Sequence, residues 1–264
     1  MRSIPAIKIL STLALLSVAT VSSARDPSDQ LNIVRAMYHA GDLNGALQEL
    51  EPLLTADDID QASKQRVRDL ATRVLQLRGE EHFRRARIAE SIADFDRQVK
   101  LQPDQAAAHW QRGIAYYYAG EYAKGARQFE HHQTVNPQDA ENAAWHFLCI
   151  VRAPKGSPEV ARKKLIRVTR DSRAPMAQIQ NLFAGTMTPD EVLRATEDSQ
   201  DTAKFYADLY VGLYYDALGR DDDSFRLIAR AADNPAAKNN YMGDVARVHV
   251  VLRKKPTGST RPRR

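Results

Sequence analysis

With 264 residues, 43% of them apolar and 27% charged, and with only 12 glycines and 12 prolines, the chain can bury a core, which excludes a disordered protein. Its formal charge of +5 does not describe a basic binding face. Arg2 and Lys8 near the start and six Lys or Arg among the last twelve residues carry the excess, and the body between is slightly acidic, which argues against a nucleic-acid partner.

The order of the first residues is that of a secretory leader. Arg2 and Lys8 precede an uncharged run, Ile9 to Val21, and Ser22-Ser23-Ala24 supplies small residues before a cleavage point. The run is shorter than the roughly 20 residues a membrane span needs. The expectation is a signal peptide over 1–24, cut after Ala24, with an uncleaved anchor as the rival. No cysteine lies near that point, so a lipid anchor is not expected.

Asp26-Pro27-Ser28 then opens the folded part with helix-start residues. Helices are predicted over Gln30–His39 and Asn44–Leu54 around the turn Ala40-Gly41-Asp42. Ala46, Leu47, Leu50 and Leu53 share one face of the second. Gln61–Arg84 reads as one long helix. A pair of short helices follows in Ala106 to Asp139, turning at Ala119-Gly120-Glu121. Helices are expected next over Asp139–Val151 and Glu159–Arg170, and residues 172–186, with a proline and a glycine, read as a connector. Thr188-Pro189-Asp190-Glu191 is a capping box opening a short helix, Pro189–Glu197. A last pair runs from Phe205 to Lys238, and Asn239–Arg253 is a final helix. The tail, 254–264, has no apolar run and is expected to be disordered.

A period organises this series. Gly113, Phe129 and Pro137 fall 34 residues after Gly79, Phe95 and Pro103. In each unit a glycine lets two helices approach, an aromatic fills the space between them, and a proline stops the second helix. Gly212, Tyr215 and Gly219 match Gly113, Tyr116 and Gly120 in the last pair. This pattern resembles the tetratricopeptide repeat (TPR). Units fall at about 27–60, 72–105, 106–139, 140–171 and 205–238, with an insertion of about eleven residues before the second. The resemblance implies an all-α, right-handed solenoid of antiparallel helix pairs over residues 25–253. Its middle is irregular, and a terminal helix, 239–253, covers the exposed end. The leader, the few units and the late FYADLYVGLYYDALG stretch are also similar to NlpI-type exported TPR proteins of bacteria, although the lipoprotein cysteine of that group is missing. That likeness implies a periplasmic scaffold for envelope enzymes such as peptidoglycan hydrolases and proteases.

In TPR proteins the inner wall is lined by set places of each first helix. Here those places bring Gln76, Phe83 and Arg84 beside Trp110, Tyr117 and Tyr118, and this group is the predicted contact for a protein or peptide segment. Ordinary packing between helices is the competing reading of its aromatics. The carboxylate clamp of some TPR families needs Lys at place five and Asn at place nine. Those places hold Gln76 and Glu80, Trp110 and Ile114, or Leu209 and Leu213, so that mode is not expected.

Chemistry has little to start from. Cys149 is the single cysteine, so no intramolecular disulfide and no cysteine-built zinc site can form. His146 and Cys149 share a helix face, and His131-His132 are adjacent, but neither pair has a third orienting group, so they are read as packing or surface residues. Asp221-Asp222-Asp223 suits the positive end of the helix it opens better than a calcium loop. No phosphate-binding glycine loop, nucleophile elbow or metalloprotease helix occurs. The expected function is therefore a non-catalytic scaffold without cofactor or metal. The alternative is a structural protein held to an anionic wall polymer or membrane surface by its basic tail.

Overall fold

A computed structural model describes residues 27–253; the predicted leader, 1–24, and the basic tail, 254–264, lie outside the described residues. Among the described residues all regular structure is helical. The first helices are α1 (Pro27–Ala40), α2 (Leu43–Thr55), α3 (Gln61–Arg84) and α4 (Ile88–Leu101), the last followed by a 3-10 turn, Pro103–Gln105. Then come α5 (Trp110–Tyr118), α6 (Tyr122–His132), α7 (Ala140–Arg152), α8 (Pro158–Lys163), α9 (Met176–Ala184) and α10 (Pro189–Arg194). The last described elements are α11 (Asp201–Ala217), α12 (Asp221–Asp233), a 3-10 turn, Pro235–Ala237, and α13 (Tyr241–Arg253).

From α1 to α7 each helix packs on the next. Four of the joints are one device. At Gly41, Ala86, Gly120 and Gly219 the backbone is left-handed, with φ of 80°, 57°, 77° and 72°. At Gly120 the N–H donates to the Tyr117 carbonyl, and the next N–H, of Glu121, reaches back to Tyr116. This paired ending satisfies carbonyls that the helix end would otherwise leave bare. The same two bonds recur at Ala86–Arg87 and Gly219–Arg220.

The helices of a pair are also held by a repeated close approach. Gly79 faces Phe95, Gly113 faces Phe129 and Gly212 faces Ile228. A Cβ on Gly113 would stand 2.7 Å from Phe129 Cζ. In the first pair Val34 and Leu50, both fully buried, occupy the corresponding places.

Ala86 is the exception among the turns, since a Cβ in left-handed backbone costs roughly 1–2 kcal/mol. Ala86→Gly should therefore raise stability by about 1 kcal/mol, read as a higher urea midpoint at unchanged slope. An unchanged or lower midpoint would show that the turn carries no strain.

Three elements differ from the sequence expectation. Residues 172–186 are not merely a connector, because α9 lies inside them and buries Met176, Ile179, Leu182 and Phe183. Its proline and glycine are its ends: Pro175 precedes the first turn, and Gly185, at φ 81°, terminates the last. The helix predicted over Glu159–Arg170 stops at Lys163. Beyond it the Gln138 side-chain oxygen accepts from the backbone N–H groups of Thr169 and Arg170, at 3.1 and 3.0 Å, in place of helical bonds. Finally, α13 does more than cover the last pair. It packs on α12 and also on α3, so the row of helices curls until its last member meets its third.

Two apolar clusters result. One joins α1, α2 and α3 as far as Leu75, and the other runs from Phe83 to Val248. Helix α3 belongs to both, which is the structural use of its 24 residues.

Candidate binding groove on the inner face

The six residues predicted to meet a partner do not share one environment. Phe83 and Tyr117 are buried, at 0% and 1% exposure. Trp110, Tyr118 and Gln76 are half-buried, and Arg84 is exposed. The cause is α13. Its Tyr241 ring stacks on Phe83 at 5.3 Å and meets Trp110 edge-on at 5.0 Å. Asp244, one turn further on, lies 3.9 Å from the Arg84 guanidinium.

Deeper in, polar side chains link the same helices. The Tyr117 hydroxyl donates to the Asp216 carboxylate at 2.7 Å, and Arg253 pairs with that carboxylate at 3.3 Å. Tyr118 Oη stands 3.2 Å from His249 Nδ1. Burial pushes the Tyr118 hydroxyl well above its ordinary pKa and the His249 ring down to about 4. At neutral pH both groups are therefore uncharged and share one hydrogen bond, and the other ring nitrogen, Nε2, faces Ser224 Oγ at 3.5 Å. These contacts tie α5, α11 and α13 together.

Beside this aromatic cluster lies an open groove of about 640 Å³, within the range of ligand sites. Helix α3 supplies one wall, with Asp69, Arg73 and Gln76. The end of α4 and the 3-10 turn after it supply Gln98, Gln102 and Gln105, and the start of α5 supplies Trp110 and Gln111. Trp110 and Gln76 are thus the two predicted residues that reach it.

His109 anchors the groove. It is 4% exposed, and burial lowers its pKa to about 4. The neutral ring donates through Nε2 to Gln98 Oε1 at 2.9 Å, because that amide oxygen can only accept. Its Nδ1 is buried without a partner among the described residues.

The chain matches no protein-family model and no curated protein.

Sequence reasoning about the inner wall missed most of the groove's glutamines. Gln98, Gln102 and Gln105 sit at the end of a second helix and in the linker after it, places to which the repeat pattern assigns no role. Their one signal was composition, a cluster of uncharged amides around Pro103.

The remaining candidates for chemistry occupy structural positions. Cys149 is buried, and burial alone raises its thiol pKa, which keeps it a poor nucleophile. His146 Nε2 lies 3.1 Å from Glu130, and His132 Nδ1 donates to the Ala107 carbonyl at 2.9 Å. Asp223, in the first turn of α12, takes Arg220 and Arg226 as ion-pair partners. Among the described residues no group of three His, Cys, Asp or Glu is placed to hold a metal ion, and no helix is long and apolar enough to cross a membrane.

Proposed function

We propose that this chain is an exported, non-catalytic interaction scaffold built as a TPR-type solenoid. A segment of a partner protein lies in the open part of its inner face, against Trp110 and Gln76. The repeated left-handed turn and the recurring glycine–aromatic approach support the architecture. The leader pattern supports a place in the bacterial envelope, with an envelope enzyme as the partner.

One observation carries the reading. A half-buried tryptophan stands at the rim of a large groove whose walls are polar but not strongly charged. Tryptophan in such a position dominates interface energetics, and its truncation commonly costs 2 kcal/mol or more, roughly thirtyfold in affinity. Phe83 and Tyr118 serve this site indirectly, by seating α13, and Tyr117 by tying α5 to α11.

The test is capture from an envelope extract with the chain from Arg25 as bait, beside baits carrying Trp110→Ala or Gln76→Ala. Proteins retained by the first bait and lost from the Trp110→Ala bait support the reading. Equal recovery by all three, with helical content unchanged, would overturn it.

A further inference from the structure

The groove also shows what kind of segment fits it. Leu77 and Ala108 are the only aliphatic residues that line it among the described residues, so it has no deep pocket for a large apolar anchor. Its working groups are amides, and they are held in place. Gln102 Nε2 donates to Asp69 Oδ1 at 2.6 Å, and Gln76 Nε2 donates to Glu80 Oε1 at 2.6 Å. Each bond fixes the amide plane, and the carboxylate polarises the carbonyl at the other end. Both carbonyl oxygens are without a donor among the described residues. Gln98 is fixed the opposite way round, because His109 takes its oxygen and leaves its –NH₂ for a ligand. The wall thus presents fixed acceptors and a fixed donor in one groove.

One cation completes the set. Arg73 is exposed on the α3 wall and makes no ion pair or hydrogen bond among the described residues. By contrast Arg78, on the same helix, and Arg112, on α5, are tied to carboxylates, those of Asp94 and Asp96, each at 2.6 Å.

We propose that the groove binds an extended polypeptide segment through its peptide groups. The segment carries small or amide-bearing side chains and one carboxylate that seats on Arg73. A peptide group offers one N–H and one C=O, the complement of a glutamine amide, and an extended strand alternates them along its length. Glutamines that are already oriented lose little freedom on binding, which favours a segment with no apolar anchor. The guanidinium adds a charge-assisted bond and sets the register.

This inference rests on the scaffold reading, and the two fail separately. The test is titration calorimetry of the full chain with four probes. The first is a short capped peptide of serine, asparagine and glutamine with a central aspartate, and the second has lysine in place of the aspartate. The third is a leucine- and phenylalanine-rich peptide, and the fourth an N-acetylglucosamine oligomer. The aspartate peptide should bind best, with the lysine version at least about tenfold weaker. Arg73→Gln should bring those two to within about twofold, and Gln102→Leu should weaken both. Preference for the apolar peptide or for the sugar would overturn the proposal, as would binding of none, or an aspartate-to-lysine ratio unchanged in Arg73→Gln. If capture still depends on Trp110 while the probes show no preference, the scaffold reading stands and the segment class falls. If capture is independent of Trp110, both fall.

Discussion

Gly243→Ala should cost about 3 kcal/mol of stability and loosen the seat of α13. A Cβ at this position would stand 2.0 Å from the Ala237 carbonyl oxygen and 2.7 Å from its carbon. Both are backbone atoms, so no side-chain rotation relieves the clash. The 3-10 turn that presents them cannot retreat easily. Ala237 is fully buried, and Asn234 Oδ1 accepts from the Ala236 N–H at 2.9 Å. The Arg247 guanidinium also donates to that same carbonyl at 3.3 Å. Either α13 shifts or the turn is forced out. A shift would draw the Tyr241 ring away from Phe83 and Trp110 and reopen the inner wall beside the groove. The expected observations are a lower urea midpoint together with changed tryptophan emission, since Trp110 is one of only two tryptophans. A wild-type midpoint would show that α13 is not held by this contact.

That helix also explains which parts of the molecule could be read in advance. Local features were legible where one residue has one geometric job. Gly120 ends a helix, Gly113 admits Phe129, and Thr188 caps α10, so these markers located helices and turns. They misled where the same residue type serves the opposite purpose, as when Pro175 and Gly185 bounded α9 instead of interrupting the chain. The inner wall was legible only as a set of places. Gln76 and Trp110 do line the groove, but Phe83 and Tyr117 at equivalent places are closed off. Tyr241 covers Phe83, while Trp145 and Asp216 enclose Tyr117, and no local pattern announces those contacts. The glutamines of the α4–α5 linker were invisible for a different reason. Their contacts are polar ones outside the apolar core, and amides carry no periodic signal.

Between pH 6.5 and pH 4 the protein should lose about 3 kcal/mol of stability for each of His109 and His249. Both rings are buried, and desolvation of the imidazolium lowers each pKa from 6.5 to about 4. In the unfolded chain each takes a proton near pH 6.5, while in the folded chain neither does until about pH 4. The unfolded state therefore binds more protons across this window, so stability falls as pH falls, by about 1.4 kcal/mol per pH unit per ring. The surroundings of His249 fix its sign. Asp216 favours the charged form, but burial outweighs it, and Arg253 and Arg152 oppose protonation further. Around His109, Arg112 opposes protonation and Asp96 favours it. His82 and His146, also lowered by burial, act in the same direction. Glu141 acts the other way: burial raises its pKa, so the folded state gains a proton first and part of the loss is offset. The measurement is the urea midpoint at a series of pH values for the wild type, His249→Gln and His109→Gln. Each variant should flatten the slope of stability against pH, whatever its own stability at neutral pH. A slope unchanged in both variants would place the acid sensitivity in other groups. The consequence reaches the groove, because the two rings stand at its two supports. His109 holds Gln98 in the wall, and His249 is hydrogen-bonded to Tyr118 beneath the aromatic cluster. Protonating either ring puts a desolvated charge at a support of the inner face, and in His109 a proton on the unpartnered Nδ1, so acid should loosen the groove before the helices themselves unfold.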